Sequence, residues 1–116
     1  MKLTLCALLF AALAVAQTPT PTPVPLVIRT NVVLPTATYN LYRVVSPSSG
    51  CVTLVKPYPM VLASGSLATS PVSTSDAPGY GLWCYYATEV VNNAESLPSA
   101  PYAVAAATGP PSLSGQ

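Results

Sequence analysis

The segment from Leu82 to Val91, LWCYYATEVV, constrains the fold more than any other part of the chain. It contains neither glycine nor proline, and most of its residues are aromatic or β-branched, the types that are enriched in strands. Asn92 and Asn93 follow it, and asparagine tolerates the positive φ of a tight reversal. The sequence therefore predicts a long strand, a turn at the two asparagines and a second strand over residues 102–107.

Side-chain alternation assigns the two faces of this strand. One face carries Leu82, Cys84, Tyr86, Thr88 and Val90, and the other carries Trp83, Tyr85, Ala87, Glu89 and Val91. Burial of an unpaired carboxylate is costly, and only the second face holds one. We therefore expect the face of Leu82, Cys84 and Tyr86 to point into the core, although a slip of one residue would reverse the assignment.

Shorter runs of strand-forming residues precede the long strand. We expect strands at Leu26–Leu34, Tyr39–Val45 and Cys51–Lys56, with an edge strand near Ser66–Val72. Clusters of proline, glycine and serine separate these runs, and no segment beyond residue 16 sustains a helical period. The expected fold class is therefore all-β.

Several separate signals in this part of the chain fall in the order of a known family. Tyr39–Arg43 reads Y-x-x-Y-R, Pro78-Gly79 precedes the long strand, and Glu95–Ser99 reads E-S-L-P-S after its turn. In these features residues 26–108 resemble a fibronectin type III domain. The resemblance implies an immunoglobulin-like antiparallel β-sandwich.

The expected sandwich is one strand short. Between Pro25 and Tyr39 there is room for strand B of the family's fold but hardly for strand A. We expect either that strand A is missing or that the proline-rich segment before residue 26 supplies a short edge in its place.

The beginning of the chain predicts export. A short basic start precedes an apolar run that ends Ala14-Val15-Ala16, the pattern of a secretory signal peptide over residues 1–16. The run is shorter than the roughly 20 residues of a membrane-spanning helix, so no membrane span is expected after cleavage. Residues 17–25 alternate threonine with proline and are expected to form an extended linker, with an O-glycosylated stalk as the alternative. Residues 109–116 are expected to be a disordered tail, and the protein to be secreted, or periplasmic in a bacterium.

The mature side-chain charge is zero, because three basic residues balance three acidic ones: Arg29, Arg43 and Lys56 against Asp76, Glu89 and Glu95. A near-neutral protein lacks the positive field that attracts nucleic acid or an anionic membrane surface. Neither is expected as a partner.

The residues that carry enzymatic chemistry are sparse. The chain contains no histidine, which excludes a Ser-His or Cys-His nucleophile. The carboxylates show no spacing typical of an acid–base pair, and two thiols with scattered carboxylates make a poor zinc site. No glycine-rich phosphate loop occurs. We expect no enzymatic activity, no cofactor and no bound metal.

Cys51 and Cys84 are the only cysteines beyond the signal peptide. In an oxidising compartment they are expected to form a disulfide. If another strand lies between those that carry them, the two cysteines are about 10 Å apart, which exceeds the reach of a relaxed bridge. The bridge then requires the segment at Cys51 to curl over the sheet, and two free thiols are the alternative.

Three aromatic residues form a candidate binding surface. With the register above, Trp83 and Tyr85 point out of the sheet, and Tyr42 on the neighbouring strand joins them. Exposed aromatic rings stack on sugars or anchor a protein partner. The alternative is that Trp83 and Tyr85 belong to the core.

The leading hypothesis is a secreted, non-catalytic fibronectin type III-like module for adhesion, spacing or interaction with an extracellular protein or glycan. The fold class alone hosts many unrelated roles. One alternative is a small carbohydrate-binding module that uses Trp83, Tyr85 and Tyr42. Another is a subunit of an extracellular surface or appendage polymer, in which a neighbour supplies the missing strand. The oligomeric state is left open.

Overall fold

A computed structural model describes residues 22–106 and residue 115. The described chain folds into seven β-strands: β1 (Val24–Ile28), β2 (Thr38–Val45), β3 (Ala63–Ser66), β4 (Val72–Asp76), β5 (Gly81–Val91), β6 (Ala94–Glu95) and β7 (Tyr102–Ala106). All strand pairs are antiparallel. The prediction of an all-β, antiparallel fold is confirmed. The predicted signal peptide and most of the predicted linker and tail lie outside the described residues.

The strands form two sheets. The smaller sheet pairs β1 with β4, with Val24 opposite Asp76 and Ile28 opposite Val72. The larger sheet has the order β3-β2-β5, and both β6 and β7 pair with the far side of β5. The ladder between β2 and β5 runs from Thr38–Val90 to Val45–Trp83, which makes β5 the central strand. Among residues 22–106, no helix is long and apolar enough to span a membrane.

The main core lies between the two sheets. Residues Val24, Leu26 and Ile28 alternate inward from β1 and are each less than a tenth exposed. They pack in one cluster with Tyr39 and Leu41 of β2 and with Tyr85 of β5. Apolar burial of this kind is the dominant favourable contribution to folding.

A second apolar cluster lies on the other face of the larger sheet. It consists of Tyr42, Cys84 and Tyr86, and the segment 46–62 folds over it with Leu54 and Tyr58. The larger sheet is therefore buried on both faces near its centre.

The prediction that Leu82, Cys84 and Tyr86 point into the core is wrong for the core between the two sheets. That core takes Tyr85 and, at its edge, Trp83, from the face that also bears Glu89. Cys84 and Tyr86 are buried, but under segment 46–62. The carboxylate of Glu89 did not exclude its face from the core because it lies near the end of the strand and accepts a hydrogen bond from Thr30.

Three predicted strands differ in extent from those observed. The first strand ends at Ile28 rather than continuing to Leu34, and residues 51–56 are not a strand. The expected strand near 66–72 is not formed, because Ser66 ends β3, Val72 begins β4 and residues 67–71 connect the two. Segment 51–56 has strand-forming residues, but the bridge to Cys84 draws it over the sheet, where it has no strand to pair with.

The turn at the asparagines is confirmed. Asn92 and Asn93 have φ of 51° and 64°, and Val91 pairs with Ala94 across a two-residue loop. Positive φ at both central residues is the conformation that matches the twist of a hairpin. Ser96 N and Ser99 N continue the pairing by donating to Glu89 O and Ala87 O, so β6 and β7 are parts of one interrupted strand.

Candidate binding cleft

The disulfide between Cys51 and Cys84 is confirmed. The two sulfur atoms are 2.03 Å apart and the Cα atoms 5.8 Å apart. Segment 46–62 curls over the sheet, as the bridge requires, and the Tyr86 hydroxyl donates to the carbonyl of Val52. The bridge and this hydrogen bond hold an otherwise irregular segment against the sheet.

The expected aromatic surface of Trp83, Tyr85 and Tyr42 is not formed. Tyr85 is 2% exposed in the core between the sheets, and Tyr42 is 3% exposed on the opposite face of the larger sheet. Trp83 is half-buried, with the Arg43 guanidinium 4.8 Å from its ring centroid and its Nε1 donating to Gly79 O at 3.2 Å. Tyr85 and Tyr42 are buried on opposite faces of the larger sheet, so the three rings do not form one exposed surface.

Asp76 connects the two sheets through polar contacts. Its Oδ2 accepts hydrogen bonds from Arg43 Nη1 at 2.6 Å and from the Tyr85 hydroxyl at 2.7 Å. Burial, and then the bond to Asp76, raise the pKa of Tyr85 well above its usual range. The carboxylate lies on β4 and both donors lie on the larger sheet, so this cluster fixes one sheet relative to the other.

Glu95 is the centre of a second polar cluster. Its Oε2 accepts hydrogen bonds from Thr88 Oγ1 at 2.5 Å, from Asn40 Nδ2 at 3.2 Å and from the Tyr42 hydroxyl. The bonds from Thr88 and Tyr42 lower the pKa of Glu95, and burial with the bond to Glu95 raises the pKa of Tyr42. The carboxylate is ionised and engaged, which makes the cluster an anchor for the hairpin.

A cleft runs along one open side of the sandwich, between β1 and the interrupted strand β6–β7. Three adjoining cavities of about 490, 270 and 250 Å³ make up this cleft. The first lies between residues 22–25 and β7, and shares Pro25 and Tyr102 with the second. The second shares Ile28 and Ser99 with the third. The cleft therefore follows the full length of β1.

The walls of the cleft are strand edges without partners in the described chain. There β1 pairs only with β4, and β7 pairs only with β5. Leu41 and Tyr85, which are core residues, line the middle of the cleft, and Tyr102 stands at its rim with 56% of its surface exposed. An unpaired strand edge presents backbone N–H and C=O groups that can pair with another chain.

The charges of the cleft are confined to one end. The first two cavities have no charged lining residue, and the third is lined by Arg29 and Glu89. Glu89 Oε2 accepts a hydrogen bond from Thr30 Oγ1 at 3.2 Å. Arg29 is exposed and forms no ion pair within residues 22–106.

The cleft could not be predicted from the sequence. Its one signal was the shortage of a strand before Tyr39, which implies an uncovered edge but does not say which residues meet there. The described residues contain no group of three or more His, Cys, Asp or Glu side chains placed to hold a metal ion. No protein-family model, no curated protein and no solved structure matches the chain.

Proposed function

We propose that this protein is a secreted, non-catalytic module of the fibronectin type III kind that binds extracellular proteins through its open cleft. The strand arrangement supports this type of sandwich, in which strands C, F and G share one sheet and strands B and E pair in the other. Here β2, β5 and β7 are adjacent in the larger sheet and β1 pairs with β4. The disulfide supports an oxidising compartment, since such bridges are rare in the cytosol.

The cleft is the observation that carries the proposal. Core residues line its middle, between two strand edges that have no partner in the described chain, and its lining is uncharged over most of its length. Apolar clefts with a few polar groups are the usual form of a binding site. A protein segment suits this site because the walls offer backbone groups in a row, which an extended chain can match.

A non-catalytic role is supported by how the carboxylates are used. Asp76, Glu89 and Glu95 each accept hydrogen bonds from neighbouring side chains. A general base needs a carboxylate within reach of a substrate proton. Each of these groups instead joins elements of the fold.

Selection of displayed random peptides on the purified mature protein tests the proposal. We expect peptides to be enriched, and their binding to weaken about tenfold or more in Tyr102→Ala, because Tyr102 lines two adjoining cavities of the cleft and tyrosine is enriched among the residues that dominate interfaces. The matched control is Tyr80→Ala, another exposed tyrosine, which lies outside the three cavities of the cleft. Equal binding to both variants, or no enrichment, contradicts the proposal. The polymer-subunit alternative stays a prediction, which size-exclusion chromatography over a range of concentrations tests.

A further inference from the structure

We propose that the cleft binds an extended segment of a partner protein as an added β-strand, with apolar side chains at alternate positions and an acidic side chain at the Arg29 end. This inference rests on the proposed function and specifies its ligand. It follows from the direction of the two walls, from the floor between them and from the distribution of charge.

The two walls run in opposite directions along the cleft. Residues 22–25 lie opposite β7 in the first cavity, and residues 28–31 lie opposite 96–99 in the third. Residue numbers therefore rise along one wall and fall along the other. A strand placed between them is antiparallel to one wall and parallel to the other, and both arrangements form regular ladders.

The two edges differ in what they offer. Pro25 has no amide hydrogen, so β1 has lost a donor, and proline is found on strand edges where the amide side faces solvent. The edge strand β7 reads YAVAA and contains no proline and no charged residue. It lacks the features that usually protect an edge from pairing. The more complete row of backbone partners is therefore on β7.

The floor of the cleft determines the side-chain pattern of the ligand. Leu41 and Tyr85 face the cleft from the core, so every second side chain of an added strand meets apolar surface. The remaining side chains point to solvent, because strand side chains alternate. The five residues of β1 at about 3.3 Å each suit a segment of about five to seven residues.

The Arg29 guanidinium offers a partner to an acidic residue of the ligand at one end of the cleft. Arg29 and Glu89 line the same cavity, and neither forms an ion pair in the described chain. Glu89 Oε2 accepts a hydrogen bond from Thr30 Oγ1, and the Arg29 guanidinium is the group there that can pair with an acidic side chain. Opposite charges at the rim of an interface favour the correct register and partner. An acidic side chain of the ligand at this end pairs with the guanidinium.

Residues 17–25 and 107–116 of a second copy fit this description poorly. Residues 17–25 have proline at every second position, which removes a row of amide donors, and residues 107–116 contain two adjacent prolines. Neither segment contains an acidic residue that could meet Arg29. The ligand we infer is therefore a segment of a different protein.

The test uses seven-residue probe peptides of alternating Val and Thr that are blocked at both ends. One pair carries Asp at the first or last position, and a second pair carries Lys there. Fluorescence polarisation at low salt measures their binding to the mature protein, to Arg29→Glu and to Lys56→Glu. Lys56 is a matched control because it lies over the Tyr58 ring, on the segment that covers the opposite face of the larger sheet.

We expect the wild type to prefer one Asp peptide over its Lys counterpart by about threefold to fivefold, the scale of an exposed ion pair. Arg29→Glu reverses this preference, and Lys56→Glu leaves it unchanged. Peptide binding that depends on Tyr102 without reversal in Arg29→Glu overturns this inference and leaves the proposed function standing. Probes that fail to bind while selected peptides do bind overturn it as well. Self-association of the wild type that blocks probe binding identifies a second copy as the occupant and also overturns it.

Discussion

Removal of the bridge between Cys51 and Cys84 should cost this protein a large part of its stability. The bridge closes a sequence separation of 33 residues, for which the chain-entropy model gives about 3.7 kcal/mol. Domains of this size unfold with roughly 5–15 kcal/mol. Loss of the bridge also releases segment 46–62 from the sheet, so Tyr42 and Tyr86 lose part of their apolar burial as well.

Guanidinium unfolding followed by tryptophan fluorescence measures this loss, because Trp83 is the only tryptophan and lies next to Cys84. We expect the unfolding free energy to fall by about 3–4 kcal/mol in reduced wild type, and the melting temperature by about 15–30 °C. Cys51→Ala/Cys84→Ala should match the reduced protein to within about 1 kcal/mol, the cost of a small void at the buried Cys84. Val52→Ala is the control, since it truncates an exposed side chain in the same segment. A loss below about 1 kcal/mol would refute the view that the bridge holds segment 46–62 in place.

Three further perturbations test the contacts around the cleft and the hairpin. The pKa of Glu95 lies below its ordinary value of 4.5, so the hydrogen bonds to its carboxylate stabilise the fold fully above about pH 4.5 and are lost as the pH falls through the folded pKa. Urea unfolding from pH 3 to 7 should show this fall in the unfolding free energy at low pH in wild type and not in Glu95→Gln. Tyr85→Phe removes the donor to Asp76 and should lower the unfolding free energy by about 1–3 kcal/mol, since the bond is to a charged group; no loss would show that the hydroxyl is dispensable. Gly65→Ala places a Cβ 2.9 Å from the buried Tyr39 ring and should cost about 1–3 kcal/mol by overpacking, as measured by thermal unfolding; an unchanged melting temperature would contradict the packing of that ring.

The long strand and its turn could be predicted because their signals are local. The run from Leu82 to Val91 has no residue that interrupts a strand, and the Asn92-Asn93 pair fits one turn type. The pairing of Cys51 with Cys84 was also accessible, since no other cysteine remains beyond the predicted signal peptide. Even the curl of the segment at Cys51 followed from the distance that a bridge can span.

The faces of the central strand could not be predicted from its pattern. Alternation separates inside from outside only where one face of a sheet meets water. Here one face packs on β1 and the other lies under segment 46–62, so Cys84, Tyr85 and Tyr86 are consecutive and all buried. The predicted aromatic surface of Trp83, Tyr85 and Tyr42 does not form for the same reason.

The cleft depends on which strand edges lie beside each other, and that is a property of the assembled fold. Pro25, Leu41 and Tyr102 are far apart in sequence, and each is unremarkable in its local context. The spacing before Tyr39 indicated a missing strand, but only the two sheets together place the open edges of β1 and β7 on one side.

Amide hydrogen exchange with the preferred Asp-ended probe peptide tests the binding of an added strand most directly. Pairing slows exchange of backbone amides, and the edge of β7 carries the more complete row of them. We predict slower exchange at alternate residues of Tyr102–Ala106 and at Val27, with no change in segment 46–62. Protection in segment 46–62 instead, or an unchanged β7 in the presence of bound peptide, would contradict the account.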